Sequence, residues 1–139
     1  MLGDDCFLDH VAVAVNSLDK SQKIYEDLGL KFEKKREVVA SQAVETAFAS
    51  IDQRAHLELL APHGESGPIH KFLEKKGEGI HHLCFRVKDV AAKSEELKKK
   101  GYTLINEKPV PGANNCLVNF IHPKSTGGVL IEISQPMEK

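Results

Sequence analysis

The feature of this sequence that most constrains its fold is an internal duplication. Residues 9–33, DHVAVAVNSLDKSQKIYEDLGLKFE, are matched by residues 81–106, HHLCFRVKDVAAKSEELKKKGYTLIN. Three anchor residues recur at one fixed spacing of 72 positions: His10 and His82, Val15 and Val87, and Gly29 and Gly101. A duplicated segment of this length predicts two copies of one structural module.

Each copy predicts the element order strand, helix, and then three strands. Each copy begins with a run of residues that either alternate between apolar and polar or are all apolar, which predicts a strand. A Ser or Asp that can start a helix follows this run. The apolar positions of the predicted helix are Leu18, Ile24, Tyr25 and Leu28 in the first copy, and Val90, Ala91 and Leu97 in the second. Gly29 and Gly101 lie where a left-handed residue ends a helix. A strand is predicted directly after each glycine, at 30–32 and at 102–104.

The end of each copy predicts a pair of hairpin strands. VETAFASI and AHLELLAP in the first copy correspond to CLVNFIHP and GVLIEISQP in the second. The modules are therefore 1–62 and 80–139, joined by a linker at 63–79 with a short helix at 68–75. A four-stranded module cannot bury its inner face alone. We expect an α+β fold in one domain, 1–139, whose two βαβββ modules pair into one eight-stranded, open, barrel-like sheet.

Composition excludes several classes of function. The 139 residues carry a formal net charge of −1, without the basic footprint that nucleic-acid binding leaves. The apolar runs are shorter than the ~20 residues that a membrane helix needs, and the acidic N-terminus lacks the basic start of a signal peptide. Cys6, Cys84 and Cys116 are odd in number, widely spaced and without a CxxC. This pattern favours the reducing cytoplasm over a disulfide framework or a thiolate zinc site.

The duplication distinguishes the two adjacent histidines of GEGIHHLCFRV. His82 is the residue that matches His10, whereas His81 points to the other face, because side chains alternate along a strand. A second matched pair lies in the hairpins, where Glu58 and Glu132 interrupt otherwise apolar strands. A buried glutamate is costly unless it is paired or bound to a metal.

Two histidines and two glutamates at duplicated positions predict one divalent metal at the pseudo-twofold centre. Imidazole and carboxylate suit Co, Mn, Ni or Zn, and four protein ligands leave positions open for substrate. Two carboxylates also balance the charge of the ion. The alternative is that each histidine is an ordinary core or surface group of its strand.

The segments DHVAVAV, SGPIHKFLEKKGEGIHH and HPKSTGGVLIE resemble the vicinal oxygen chelate superfamily and, within it, the methylmalonyl-CoA epimerase branch. This resemblance implies that His10, Glu58, His82 and Glu132 are metal ligands. It also implies a homodimer that binds an acyl-CoA and interconverts the R and S forms of methylmalonyl-CoA by proton transfer through a metal-stabilised enolate.

The sequence departs from the epimerase pattern at one position. Bacterial epimerases of this branch carry a glutamate base on the strand that corresponds to SQAVETAF, and that position aligns with Thr46. The neighbouring Glu45 should point to the other face unless a one-residue bulge turns it inward. The candidate catalytic residues are therefore Glu132 and Glu45, with a metal-held water as the alternative to Glu45.

Three other functions of the same fold stay open. Glyoxalase I also moves a proton next to a metal, and its ligand glutamates can serve as bases, so that Thr46 would be no obstacle. A small-molecule binding module would use the same fold without a metal. A metal-dependent dioxygenase needs only two histidines and one carboxylate, which leaves the fourth ligand unexplained.

Overall fold

The computed structural model describes residues 5–137 of the chain. Its strands are β1 (Cys6–Ala14), β2 (Glu37–Val39), β3 (Val44–Ser50), β4 (His56–Pro62), β5 (Gly79–Val87), β6 (Val110–Gly112), β7 (Cys116–Ile121) and β8 (Ile131–Pro136). Its helices are α1 (Leu18–Leu28), α2 (Pro68–Lys76) and α3 (Val90–Lys99). In the described part of the chain, no helix is both long and apolar enough to cross a membrane.

The helices begin and end where the sequence places their capping residues. The Ser17 side chain accepts a hydrogen bond from the Lys20 N–H at the start of α1, and Asp89 does the same for Ala92 at the start of α3. Gly29 ends α1 in the left-handed region, with φ at 111°, a conformation that strains any residue with a Cβ. The helix boundaries are thus set locally by side-chain chemistry.

The hydrogen-bonded order of the strands is β2-β3-β4-β1-β5-β8-β7-β6, in one eight-stranded sheet. The predicted α+β fold with two βαβββ modules is confirmed. By contacts the chain divides into two compact units, one formed by the segment up to Asp9 with the segment from His82 onward, the other by His10–His81.

In the unit formed by His10–His81, β1 runs parallel to β4 with Ala12 opposite Glu58 and Ala14 opposite Leu60. β4 is antiparallel to β3, and β3 is antiparallel to β2. Helix α1 packs on one face of these strands, where Leu57 and Leu59 belong to the apolar core. Helix α2 packs on the face that carries Ala12, Ala14 and Leu60.

In the other unit the same registers recur with different residues. β5 runs parallel to β8, with Cys84 opposite Glu132 and Arg86 opposite Ser134. β8 is antiparallel to β7, and β7 is antiparallel to β6. Helix α3 packs through Val90 and Leu97 on a face that includes Val87 and Ile133. The duplication read from the sequence is therefore also a duplication of strand register.

The strands predicted directly after Gly29 and Gly101 were wrong. The segments 30–32 and 102–104 do not form strands, because each contributes a single bridge, Phe32 to Ala49 and Leu104 to Ile121. The first strand after the helix of each module is instead β2 in the first module and β6 in the second, both further along the chain. In α1, Ile24 and Leu28 are exposed.

The fold yields a testable prediction at Asn119, which is fully buried in β7. Its Nδ2 donates to Ser94 Oγ on α3 at 3.0 Å and to the Asn106 carbonyl at 3.0 Å, and its Oδ1 accepts from the Asn106 N–H at 3.1 Å. Asn119→Ala leaves these groups buried without their partner. We expect it to lower the free energy of unfolding by about 2–4 kcal/mol, measured by urea denaturation.

Asn16 provides the matched control, because it is an exposed asparagine whose backbone N–H, rather than its side chain, donates to Glu78 Oε2. Asn16→Ala should change the free energy of unfolding by no more than about 0.5 kcal/mol. An equal effect of the two substitutions would show that the Asn119 contacts contribute nothing specific to stability.

Candidate functional site

The first buried His–Glu pair lies on β1 and β4. His10 Nε2 is 3.5 Å from Glu58 Oε1, and both residues are buried. The parallel register sets Ala12 opposite Glu58, so His10 and Glu58 project from the same face, two residues apart along the strands. This is the face on which α2 packs. Glu58 therefore has a polar partner within a largely apolar part of the protein.

The second pair repeats this arrangement on β5 and β8. His82 Nε2 is 3.0 Å from Glu132 Oε1, and both residues are buried. The ring of Phe120, which lies opposite Glu132 on β7, meets the His82 ring edge-on, with centroids 5.9 Å apart. That contact favours this orientation of the imidazole.

The two pairs occupy equivalent positions of the two modules. Glu58 faces Phe48 across the β3–β4 ladder, as Glu132 faces Phe120 across the β7–β8 ladder. A buried carboxylate beside a polar partner rarely stabilises a fold more than apolar side chains of the same size would. Two such pairs at equivalent positions therefore point to a function of these side chains rather than to stability.

The adjacent histidine has a different environment. The ring of His81 contacts the Phe72 ring of α2 edge-on, with centroids 4.9 Å apart. The pair with Glu132 is made by His82. The structure thus gives the two neighbouring histidines of β5 different partners, as alternation along a strand requires.

The structure places Thr46 and Glu45 on opposite faces of β3. The β3–β4 register runs without an inserted residue from Val44 opposite Pro62 to Ser50 opposite His56. Thr46, which is buried, lies opposite Leu60 on the face of Glu58, and its hydroxyl donates to the Glu37 carbonyl at 3.3 Å. Glu45 lies on the other face, because the regular ladder contains no bulge that would turn it.

The side chains present fit a divalent metal. His10, Glu58, His82 and Glu132 are all buried, and their imidazole and carboxylate groups are of the types that bind such an ion. Nitrogen and oxygen donors suit Mn, Co, Ni or Zn. The three cysteines, Cys6, Cys84 and Cys116, form no disulfide.

One polar cluster was missed by the sequence reasoning. Arg86 on β5 donates from Nη2 to Asp9 Oδ1 at 2.9 Å and from Nε to Ser134 Oγ at 3.3 Å. The Cys84 thiol donates to the same Ser134 oxygen at 3.3 Å. The only signal in the sequence was a charged residue among the apolar positions of a strand.

Comparison with known proteins assigns the family. Residues 9–120 match the model of the glyoxalase/bleomycin resistance protein/dioxygenase superfamily. The chain belongs to this superfamily. The resemblance stated from the sequence motifs is thereby confirmed at the level of the family.

Several members of the glyoxalase/bleomycin resistance protein/dioxygenase superfamily are similar to this chain over most of its length. The mitochondrial methylmalonyl-CoA epimerase of Mus musculus is 39% identical over 132 residues, which are 92% of this chain and 72% of that protein. The crystal structure of methylmalonyl-CoA epimerase from Mycobacterium tuberculosis has a TM-score of 0.89 at 39% identity, covering 99% of this chain and 94% of that one.

A third structure contains a ligand. It is a variant of the Streptomyces coelicolor methylmalonyl-CoA epimerase in complex with 2-nitronate-propionyl-CoA. Its TM-score is 0.88 at 31% sequence identity, and the match covers 94% of this chain and 97% of that one. The chain is thus similar throughout to epimerases of CoA thioesters.

Proposed function

We propose that this protein is a metal-dependent epimerase that interconverts the R and S forms of methylmalonyl-CoA. The observation that carries the proposal is the buried His–Glu pair repeated at equivalent register in both modules. The similarity to named methylmalonyl-CoA epimerases over nearly the whole chain supports the choice of substrate.

We further propose that His10, Glu58, His82 and Glu132 together hold one divalent ion, Co, Mn, Ni or Zn. Two neutral imidazoles and two carboxylates offer the nitrogen and oxygen donors that these ions accept, and the carboxylates balance the 2+ charge. When bound, such an ion acts as a Lewis acid that stabilises the negative charge developing on a thioester oxygen.

Glu132 is the residue we propose as the base. Its carboxylate would take the acidic proton next to the thioester carbonyl, leaving a planar enolate, and would return a proton to the same face. Burial of the carboxylate beside His82 keeps water away and fixes its orientation. Inversion also needs a proton delivered to the opposite face of the enolate.

Glu45 is the second candidate acid–base residue, and its position supports only a small contribution. It lies on the face of β3 opposite to Glu58, within an unbroken register. A proton from water is the alternative source for the second face. Whether Glu45 or water delivers the second proton, the α-hydrogen of the substrate is expected to exchange with solvent.

The metal requirement can be tested without relying on activity alone. Dialysis against a chelator should abolish epimerisation, and Co, Mn or Ni should restore it, whereas Ca should fail because it prefers a larger shell of oxygens. His10→Ala and His82→Ala should each weaken cobalt binding substantially, measured by titration calorimetry and by visible absorption. Full activity of the metal-free protein would refute the metal proposal.

The roles of the two glutamates are separated by one pair of variants. Glu132→Gln should lower kcat at least a hundredfold, because it removes both a base and a negative ligand. Glu45→Gln should cost less than about tenfold, or ~1.4 kcal/mol of transition-state stabilisation. The measurement is the rate of deuterium uptake at the α-carbon of methylmalonyl-CoA in deuterated water. A large loss in Glu45→Gln would show that Glu45 reaches the substrate.

Glyoxalase I is the second candidate function, and one observation favours it. Both Glu58 and Glu132 are buried next to a histidine, and Thr46 stands in place of the expected glutamate, so that a carboxylate base on this face of the sheet must come from the residues proposed as ligands. Transfer between adjacent carbons of a hemithioacetal can proceed on one side of the substrate. Such chemistry needs no group on the opposite face.

Parallel assays distinguish the two reactions. The metal-loaded protein should exchange the α-hydrogen of methylmalonyl-CoA and epimerise the α-carbon, and it should leave the methylglyoxal–glutathione hemithioacetal unchanged. Turnover of the hemithioacetal without turnover of methylmalonyl-CoA would assign the glyoxalase reaction. Tight binding of an acyl-CoA without turnover of either compound would instead indicate a binding module.

The compartment, the oligomeric state and the partners of the enzyme are also proposed. We propose that it acts in the cytoplasm as a homodimer on a small-molecule acyl-CoA, with neither nucleic acid nor a membrane as partner. Cys6, Cys84 and Cys116 form no disulfide, which is compatible with a reducing compartment. Sedimentation equilibrium would give the oligomeric state.

A further inference from the structure

The two modules differ at the positions next to their His–Glu pairs. The parallel registers make three pairs of positions equivalent: Ala12 and Cys84, Ala14 and Arg86, and Leu60 and Ser134. In the first module all three residues are apolar. In the second module they are a thiol, a guanidinium and a hydroxyl. The two modules therefore keep the same strand register but differ in the side chains on the face that carries the proposed catalytic residues.

In the first module this face is filled by the protein itself. Ile69 of α2 packs with Ala12, Ala14 and Leu60 in one buried apolar cluster, against which Phe72 and Leu73 also pack. Ala12 and Ala14 are 0% exposed. A substrate cannot lie along these positions, because the helix occupies the space.

In the second module the corresponding positions include Arg86, whose side chain is hydrogen-bonded to residues of three other strands. Its Nε donates to Ser134 Oγ, and its Nη2 donates to Asp9 Oδ1 and, at 3.7 Å, to Cys116 Sγ. Three strands thus hold the guanidinium in one orientation. The side chain is nevertheless 23% exposed, in contrast to the fully buried Ala14 of the first module.

One edge of the guanidinium is available for a ligand. Within residues 5–137, the hydrogen bonds of Arg86 use Nε and Nη2, which leaves the two N–H groups of Nη1. Asp9 already balances the positive charge. A fixed, charge-balanced donor suits a neutral carbonyl oxygen better than a second anion, since an anion would also be repelled by Asp9.

The distance along the strand indicates which carbonyl this is. Ser134 lies two residues beyond Glu132 on the same face, a rise of about 6.6 Å. In a CoA thioester the first amide carbonyl of the pantetheine arm follows the thioester carbonyl after a sulfur, two carbons and a nitrogen. That span is comparable to the rise between the two residues.

We propose that Arg86 is a substrate-binding residue that donates from Nη1 to the first amide carbonyl of the thioester arm. The inference rests on the proposed function, because it assumes a CoA thioester with its reacting carbon near Glu132. Asp9 and Ser134 are positioning residues, since they act by orienting the guanidinium. The second module accordingly carries the arm, and the first module is closed by α2.

Three thioesters of methylmalonate test this assignment. They are the CoA thioester, the N-acetylcysteamine thioester, which retains only the first amide, and the S-propyl thioester, which has no amide. In Arg86→Met, kcat/KM for α-hydrogen exchange should fall at least tenfold with the first two substrates. It should stay within twofold of the unmodified protein with the S-propyl thioester, which has no carbonyl for Nη1 to bind.

Lys88→Met is the matched control. Lys88 follows β5, is 75% exposed and pairs with Asp5 on the surface, so its loss should leave all three rates unchanged. Arg86→Lys retains a cation next to Asp9 but lacks the second edge of donors, and it should show the same dependence on substrate. This variant keeps the test valid if Arg86→Met does not fold.

Two patterns would overturn the assignment. An equal loss with all three thioesters would mean that Arg86 supports only the structure of the site. A loss confined to the CoA thioester would place the guanidinium on the nucleotide phosphates or on the second amide. If the unmodified protein exchanges the α-hydrogen of none of the three, the proposed function itself fails.

Discussion

The arrangement on which the rest of the structure depends is a pair of parallel strands, used twice, that sets a histidine beside a glutamate. In β1 and β4, and again in β5 and β8, the register brings the two side chains to the same buried face. Removing a carboxylate from water costs several kcal/mol unless charges or hydrogen bonds compensate. Each glutamate is therefore tolerated because the parallel strand supplies an imidazole at 3.0–3.5 Å.

Duplication of one module produces both His–Glu pairs, and later differences in sequence between the two modules make their surroundings unlike. The shared frame fixes the His–Glu pairs, whereas the residues next to them are free to differ. The first module uses small apolar residues under α2. The second module uses Arg86 and its polar partners. We propose that this difference lets the second module bind the arm of the thioester while α2 occupies the equivalent positions of the first.

The alternation of side chains along a strand places the proposed ligands on one face. It also limits which other side chains can transfer a proton on that face. A regular ladder assigns Thr46 to the face of Glu58 and Glu45 to the other. Moving Glu45 to the first face would require an extra residue in β3. The proton transfer that we propose therefore centres on Glu132, and Glu45 is expected to contribute little.

The sequence by itself determined the βαβββ repeat, the caps of α1 and α3, and the four residues proposed as ligands. These depend on local patterns and on a repeat spacing that can be read along the chain. Only the tertiary structure decided that Ile24 and Leu28 of α1 are exposed, and that α2 covers the apolar face of the first module. The Arg86–Asp9 pair joins residues 77 positions apart. Contacts of this kind follow from strand register and packing, which a linear pattern does not encode.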